Sequence, residues 1–487
     1  FGSRPSGFGL TSLLRAHCRS SQDYRHFATM TGEPTMQAKL SAELLGTFIL
    51  IFTVGCNVLA KNAVWAGVSI ACSLMVSIYA LGGISGANFN PAVSFCLAIT
   101  NGMGGPGGMD MATAGKYAAA QITAGIGAGF LYTALYGESF ALGPGKDFGW
   151  LNAGIAEFLY TFMLCFVVLN AAVARDTMYY GLAIGFVIVA GAYGAGAISG
   201  GCFNPAVAIA IDFAASGRDI GGCALYIFFE LLGAAMAAVA TKLVRPGLFG
   251  ERAEPKIFEK CASEFLGTYF LVLTVGLNVL GSSPAGAFSI AAALMCMIYS
   301  LGDVSGAHFN PAVTIAIAAT KRDAMPSSDI VPYICAQCAG GICAAFTYSM
   351  LYLGASFPLG PVGDTKWTQV AVAEIMFTFV LCYVVLSVAV STKTNAPQFF
   401  GLAIGSCVTV GGFAIGGISG GSLNPAVSVG LATADTFNGG NFANCLIYTL
   451  FEMIGALMAA GVFEMTHAVD LDQSLPVSKK AAAEERF

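Results

Sequence analysis

Charge is what this sequence has least of. Only 10% of its 487 residues are Asp, Glu, Lys or Arg, whereas a soluble domain carries about 25%. So few charges cannot clothe a chain of this size in a water-facing surface, which excludes an ordinary soluble globule and leaves lipid to cover part of it. The net charge of −5 is small for the length and offers no basic face to a phosphate backbone, so nucleic acid is excluded as a partner. Histidine is scarce as well, with four residues. No Ser/His/Asp arrangement and no metal-ligand spacing accompanies them, so neither an enzyme nor a metal or cofactor site is expected. Cysteine is not scarce, at 15. The residues sit almost entirely inside apolar runs (Cys56, Cys72, Cys96, Cys165, Cys296, Cys382, Cys407), where Cys behaves as a small hydrophobe. Cys335-Ala-Gln-Cys338 has the spacing of a redox or zinc pair but no second pair and no nearby His, so packing is expected there too.

What is present is apolar length. Runs of about 20 residues, long enough to cross a bilayer, fall at 40–60, 63–83, 114–136, 150–173, 178–198 and 221–243, and again at 261–281, 284–302, 330–353, 368–390, 398–417 and 442–463. The 61 glycines suit such spans, because small residues let membrane helices approach closely. Between the two groups of six, Arg245 to Lys260 contains Pro246, Pro255 and seven charged residues and reads as a polar linker.

The chain repeats itself. Asn-Pro-Ala occurs at Asn90-Pro91-Ala92, Asn204-Pro205-Ala206, Asn310-Pro311-Ala312 and Asn424-Pro425-Ala426, with 220 residues between halves and 114 within each half. Ile84–Val93 echoes Ile198–Val207, so each half is itself duplicated. Three spans per quarter is an odd number, and successive quarters therefore enter the membrane in opposite directions, as inverted repeats do. With both termini on one side, eighteen Lys and Arg fall in the inner segments. Only Lys61, Lys146, Arg218 and Lys366 fall in the outer ones, a positive-inside bias that places both termini in the cytosol, or in the matrix or stroma of an organelle. Phe1–Thr35 is Arg-bearing, Ser-rich and poor in acid; it reads as a disordered tail or, in the alternative, an organellar transit segment. Residues 466–487 read as a second disordered tail.

Asn is a good N-cap and Pro a good first helical residue, so each triplet begins a helix. The apolar stretch that follows is only about five to seven residues, half a membrane at most. Such a helix starts at mid-depth, where irregular backbone survives only beside a cavity. Two of them per half, from inverted quarters, meet N-terminus to N-terminus. Both positive dipole ends then oppose a cation at the centre, while the Asn amides donate to a passing oxygen. One such tripeptide is a common turn; four, at these spacings, describe a pore for neutral solutes.

These motifs resemble the major intrinsic protein family, the aquaporins and their glycerol-conducting relatives, over about 38–245 and again 258–465. The resemblance extends to a Glu in the first and fourth spans, here Glu43, Glu157, Glu264 and Glu374, and to Gln121 and Gln337 in the third. It implies an all-α membrane protein of two aquaporin-like domains, each with six transmembrane helices and two half-membrane helices. The layout expected is a tail over 1–37, a first pore domain over 38–245, a linker over 246–257 and a second pore domain over 258–465. It implies that the four Glu support the half-helix loops, ion binding being the alternative for a carboxylate in a membrane. It also implies assembly of four pores about an axis, hence a homodimer here, resident in a plasma membrane or vacuole, or in an organelle.

The sequence departs from the family at the filter. Where the family has Arg after the second triplet of a pore, this chain has Val207 and Val427. The family's spacing implies Ile70, Ala192 and Gly201 as the other filter positions of the first pore and Ile290, Gly412 and Gly421 of the second; a slip of one residue would bring in Tyr193 and Phe413. An Arg-less, aliphatic filter points to a channel for water and small neutral solutes such as glycerol, urea, ammonia or hydrogen peroxide, or else to a filter collapsed shut. Asp303 and His308 stand where the first half has Gly83 and Asn88 and are expected in a solvated vestibule, a pH gate being the alternative. Cys202 is expected near the first pore's mouth, open to mercurials if exposed. Two other classes compete. A secondary transporter would need coupling-ion ligands at mid-depth; beyond the four Glu, no intramembrane carboxylate cluster is expected, and Asp212 and Asp435 lie toward the far ends of their half-helices. A non-conducting or gated scaffold of the same fold is the other.

Overall fold

The computed structural model describes residues 33–468 except 176, 216–220, 252–253, 321 and 323. Both predicted tails lie almost wholly outside the described residues, as does Arg218. Among the described residues, eleven helices are long and apolar enough to cross a membrane. In the first half these are α1 (Met36–Leu59), α2 (Ala66–Ser85), α4 (Met111–Tyr136), α5 (Trp150–Val167, continued by a π-helical turn to Val173) and α8 (Gly222–Val244). The second half has α9 (Ile257–Leu280), α10 (Gly286–Ser305), α12 (Ser327–Leu351), α13 (Trp367–Val385, with a π turn to Val390), α14 (Phe400–Ser419) and α16 (Ala443–Thr466). The twelfth span is α6 (Tyr180–Gly194), which breaks at Ala195 and is completed by the turn Gly196–Ser199. Its second-half counterpart α14 runs the same course unbroken. All twelve predicted spans coincide with these helices.

The four short helices each begin at the Pro of a triplet: α3 (Pro91–Gly102), α7 (Pro205–Ala214), α11 (Pro311–Ala319) and α15 (Pro425–Thr436). α11 ends where its apolar stretch does, at Ala319, whereas α3 and α15 run longer because the helix continues through Thr100 and Asn101 and through Thr433 and Asp435. Even so, 12 residues at 1.5 Å each span about 18 Å, roughly half of a 30 Å hydrocarbon core.

Glycine decides where helices touch. A Cβ on Gly341 of α12 would lie 2.4 Å from the Ala426 carbonyl oxygen of α15, and one on Gly125 of α4 would lie 2.8 Å from that of Ala206. Backbone meets backbone at both crossings, so no side chain can yield. The half-helices are thereby held against the third spans.

The halves pack directly on each other, α5 and α6 of the first against α9 and α10 of the second. The seam is apolar, with Tyr179 stacked on Tyr299 and Phe162 on Phe270. It is also hydrogen-bonded: the Tyr160 and Thr274 hydroxyls lie 3.0 Å apart, and Ser289 Oγ donates to the Ala190 carbonyl. At its inner end, the end that carries Met36 and Thr466, Arg245 donates to both carboxylate oxygens of Asp303, to Asn170 Oδ1 and to the Ser300 carbonyl. Arg175 adds a further ion pair to Asp303. The segment expected to be a polar linker is therefore anchored at its first residue. The Phe249 ring then lies under Lys242 and against Gly105.

Candidate functional site

Four loops carry the site, one before each triplet, and all four are built alike. The preceding helix ends on a Ser followed by a left-handed Gly: Ser85-Gly86, Ser199-Gly200, Ser305-Gly306 and Ser419-Gly420. The loop then forces residues other than Gly into positive φ, with Ala87 at 50°, Phe89 and Phe203 at 51°, Phe309 at 49° and Leu423 at 55°. Each such residue costs about 1–2 kcal/mol.

A buried carboxylate holds each loop in this shape. Glu43 accepts from Ser85 Oγ at 2.6 Å, Asn88 N at 3.0 Å, Phe89 N at 2.7 Å and Gln121 Nε2 at 2.8 Å. Glu264 repeats the pattern with Ser305, His308, Phe309 and Gln337. Glu157 accepts from Ser199, Cys202 N and Phe203 N, and Glu374 from Ser419, Ser422 N and Leu423 N. Charge-assisted bonds of this kind contribute about 1.5–3 kcal/mol each, so three or four of them outweigh the strain of one loop. A tyrosine adds a brace: Tyr117, Tyr226, Tyr333 and Tyr448 each donate to the carbonyl of the loop's Ser.

The strained residue turns its carbonyl across the centre of the pore. Asn204 Nδ2 donates to the Phe89 carbonyl at 2.9 Å and Asn90 Nδ2 to the Phe203 carbonyl at 2.7 Å. Asn424 and Asn310 exchange the same bonds with Phe309 and Leu423. Meanwhile each Asn Oδ1 caps its own half-helix at the Ala of the triplet. An Asn amide has two donors; one is committed to the partner loop, and one is left for a solute.

Each half encloses a cavity beside these Asn side chains. The first, of about 930 Å³, runs from Lys39, Asp110 and Arg175 at its inner mouth past Asn90 and Asn204 to Ile70, Ala192, Gly201 and Val207. At that mouth the Thr113 hydroxyl, and with it the Thr113 N–H that donates to Asp110 Oδ1, holds the Asp110 carboxyl below its usual value. The second, of about 770 Å³, runs from His308, Asn310 and Asn424 outward past Ile290, Gly412, Gly421 and Val427 to Pro361 and Asn444. All eight residues counted as filter positions thus line a cavity. Tyr193 and Phe413 line neither: the Tyr193 hydroxyl donates to the Val64 carbonyl, and Phe413 is 60% exposed on the outer face of the bundle.

Several expectations need correction. Asp303 is exposed, as expected, but it lies outside the lining of either cavity and accepts from Arg245 and Arg175. His308 is not solvated; it is buried at the inner end of the second cavity, with Nδ1 3.1 Å from Thr314 Oγ1 and its ring edge-on to Tyr333. Cys202 lines the first cavity but is only 7% exposed. Cys335 and Cys343 are exposed on α12 rather than packed. Asp212 is buried and accepts from Cys223 N, tying α7 to the start of α8; Asp435 accepts from Ser356 Oγ.

The clearest omission concerns carboxylates. Glu230 and Glu452, in the sixth span of each half, are fully buried and accept the Asn204 and Asn424 amides. They stand beside Glu157 and Glu374, so each half does hold an intramembrane carboxylate pair, contrary to expectation. The signal was a lone acid inside each of the apolar runs 221–243 and 442–463.

Comparison with known proteins finds one family. The model of the family described as "Major intrinsic protein" matches residues 30–181, 146–276 and 251–463. Nodulin-26 of Glycine max is 34% identical over 221 residues, 44% of this chain and 79% of that protein. Aquaporin AqpM of Methanothermobacter thermautotrophicus is 34% identical over 249 residues, 42% of this chain and 96% of its own. Among solved structures, the aquaglyceroporin from Plasmodium falciparum aligns at a TM-score of 0.36 and 18% identity, over 43% of this chain and 96% of that one. The chain is an integral, multi-pass membrane protein and belongs to the major intrinsic protein family.

Proposed function

We propose that the chain is a passive channel that conducts water and small neutral solutes such as glycerol, urea, ammonia or hydrogen peroxide through two pores, one per half. The observation that carries this reading is the lining of the first cavity, in which two Asn donors lead to a filter of Ile70, Ala192, Gly201 and Val207. No Arg lies at that filter among the described residues. Aliphatic and glycine walls admit a carbon-bearing solute that an Arg-narrowed filter excludes, while the facing helix N-termini oppose cations. In the second filter Gly412 replaces Ala192, and Ala287 replaces the Gly67 that packs beside it. The paired carboxylates favour no coupled transport, because none of Glu157, Glu230, Glu374 and Glu452 lines a cavity; they sit behind the loops.

Two chains would complete a ring of four pores. The most apolar stretches of α5, α9 and α10 are 78%, 67% and 72% buried, whereas those of their counterparts in the other half, α13, α1 and α2, are only 44%, 44% and 28% buried, and that of α14, the counterpart of α6, 33%. These counterparts carry Val76, Val372, Val410 and Phe413, all more than half exposed, and they are the two sides of the same joint left open.

Stopped-flow light scattering on proteoliposomes tests the channel reading, comparing water, glycerol and urea for the native protein and for Val207→Arg with Val427→Arg. Solute flux that the Arg pair cuts more than water flux is the expected result. Permeability no higher than in empty liposomes for every solute overturns it and favours a non-conducting scaffold.

A further inference from the structure

The four loops are built alike except in one respect. At the inner loop of each half, the carboxylate has an amide as its neighbour, four residues after the bracing tyrosine: Gln121 follows Tyr117 and donates to Glu43, and Gln337 follows Tyr333 and donates to Glu264. At the outer loops the corresponding residue is itself an acid, Glu230 after Tyr226 and Glu452 after Tyr448. Glu157 and Glu230 take three successive loop amides between them, those of Cys202, Phe203 and Asn204. The two carboxyl groups therefore converge on adjacent backbone amides of one loop, as Glu374 and Glu452 do on those of Ser422, Leu423 and Asn424. The second oxygen of Glu230, Oε2, is buried with no donor on it among the described residues, and so is Oε2 of Glu452.

Among the described residues, the surroundings supply no positive charge. Glu230 faces Glu157 and Cys165 of α5 and Cys202 of the outer loop, with Cys223 and Tyr226 on its own helix; Asp212 of α7 neighbours Cys202, Cys223 and Tyr226, and Cys96 of α3 lies next to Cys165. Glu452 faces Glu374 and Cys382 of α13, Ser422 and Ser428, with Cys445 and Tyr448 on its own helix. Every titratable group named is an acid. Two adjacent carboxyls in such a place cannot both be ionised, and the resolution that chemistry offers is a single shared proton.

We propose that each pore carries a proton-binding site behind its outer Asn-Pro-Ala loop, formed by Glu157 with Glu230 and by Glu374 with Glu452, and that the bound proton holds the loop in its permeable shape. Protonated Glu230 donates to Glu157 as Gln121 donates to Glu43. The amide at the inner loop holds at any pH, whereas the acid at the outer loop holds only while the proton stays. Its loss on raising pH sets two negative charges side by side, and the pair relaxes by moving the loop that carries Phe203 and Asn204. The two sites are unequal, since Ser428 Oγ also donates to Glu452 where the first pore has Ala208. The first pore therefore depends more on its proton.

The inference rests on the channel reading, and its test has a readout that does not. Full-length protein in proteoliposomes is followed by infrared spectroscopy and by water and glycerol flux, from neutral pH to on the order of pH 9, where buried carboxyls have been titrated. The native protein is expected to show the carbonyl stretch of a protonated carboxylic acid at neutral pH, and to lose that band and its flux together as pH rises. Glu230→Gln with Glu452→Gln is expected to lack the band, to conduct at neutral pH and to keep conducting in alkali. Glu230→Leu, which has no donor, is expected to lose first-pore flux at all pH values. Absence of the protonated-acid band from the native protein overturns the proposal whatever the flux. Alkaline inhibition undiminished in the double Gln variant overturns it as well.

Discussion

Glu43 shows how much one side chain can hold. Four donors converge on it, and a carboxylate is the side chain that accepts from all of them at once. We predict that Glu43→Ala strands four buried donors at about 1–3 kcal/mol each, and that the first half no longer folds stably. Size-exclusion chromatography and thermal unfolding in detergent should show aggregation or a sharply lowered midpoint; native-like melting would mean that the loop keeps its shape without the carboxylate. Asn90 separates two roles in one residue. Asn90→Asp keeps the oxygen that caps α3 but loses the amide that donates to the Phe203 carbonyl, and it places a negative charge where two helix N-termini meet. The expected outcome is a folded pore that leaks cations, read as a proton or sodium current in oocytes or planar bilayers; an unchanged cation exclusion would move that barrier elsewhere.

At the scale of elements, the half-helices stay in place because third spans approach them at glycines. Gly341→Ala drives a Cβ into the Ala426 carbonyl, and backbone on both sides leaves no room to adjust. A cost of about 1–3 kcal/mol is expected from such overpacking, together with loss of second-pore flux. Gly127→Ala, on α4 with nothing within 4 Å of the new Cβ, is the matched control and should melt as the native protein does. Equal melting of both variants would show that the crossing tolerates a shift. The helices themselves were legible as apolar runs, and the half-helices as Asn-Pro starts. Their true lengths were not, because a helix continues through polar residues once its neighbours satisfy them.

For the whole molecule, the decisive feature is the seam between halves. Asp303 joins Arg245 and Arg175 there, while its counterpart Gly83 at the open face makes no such pair. Arg245 is only 10% exposed along its side chain and Asp303 34%, which places this interaction between a surface pair and a buried one. We predict that Asp303→Gly lowers stability by about 1–3 kcal/mol, visible as a lower and less salt-dependent melting midpoint in detergent. The open faces of α2 and α14 predict in turn that the native protein runs as a dimer in mild detergent. Val76→Glu with Val410→Glu should release monomers; a monomeric native protein would end the ring-of-four reading.

The sequence by itself determined the spans, the duplicated and inverted order and the four Asn-Pro-Ala starts, because each follows from local chemistry repeated at fixed intervals; the filter positions were implied only by the resemblance to the family. Only the tertiary structure decided which side chains meet. Glu230 and Glu452 lay unremarked in apolar runs until packing set them against Glu157 and Glu374, more than 70 residues away in sequence. Asp303 read as a vestibule residue until Arg245, at the end of the other half, was found on it. Periodicity along a chain reports which face a residue occupies, but not what the facing helix brings to that depth. For a buried charge, that partner determines whether it is a strain, a brace or a place to keep a proton.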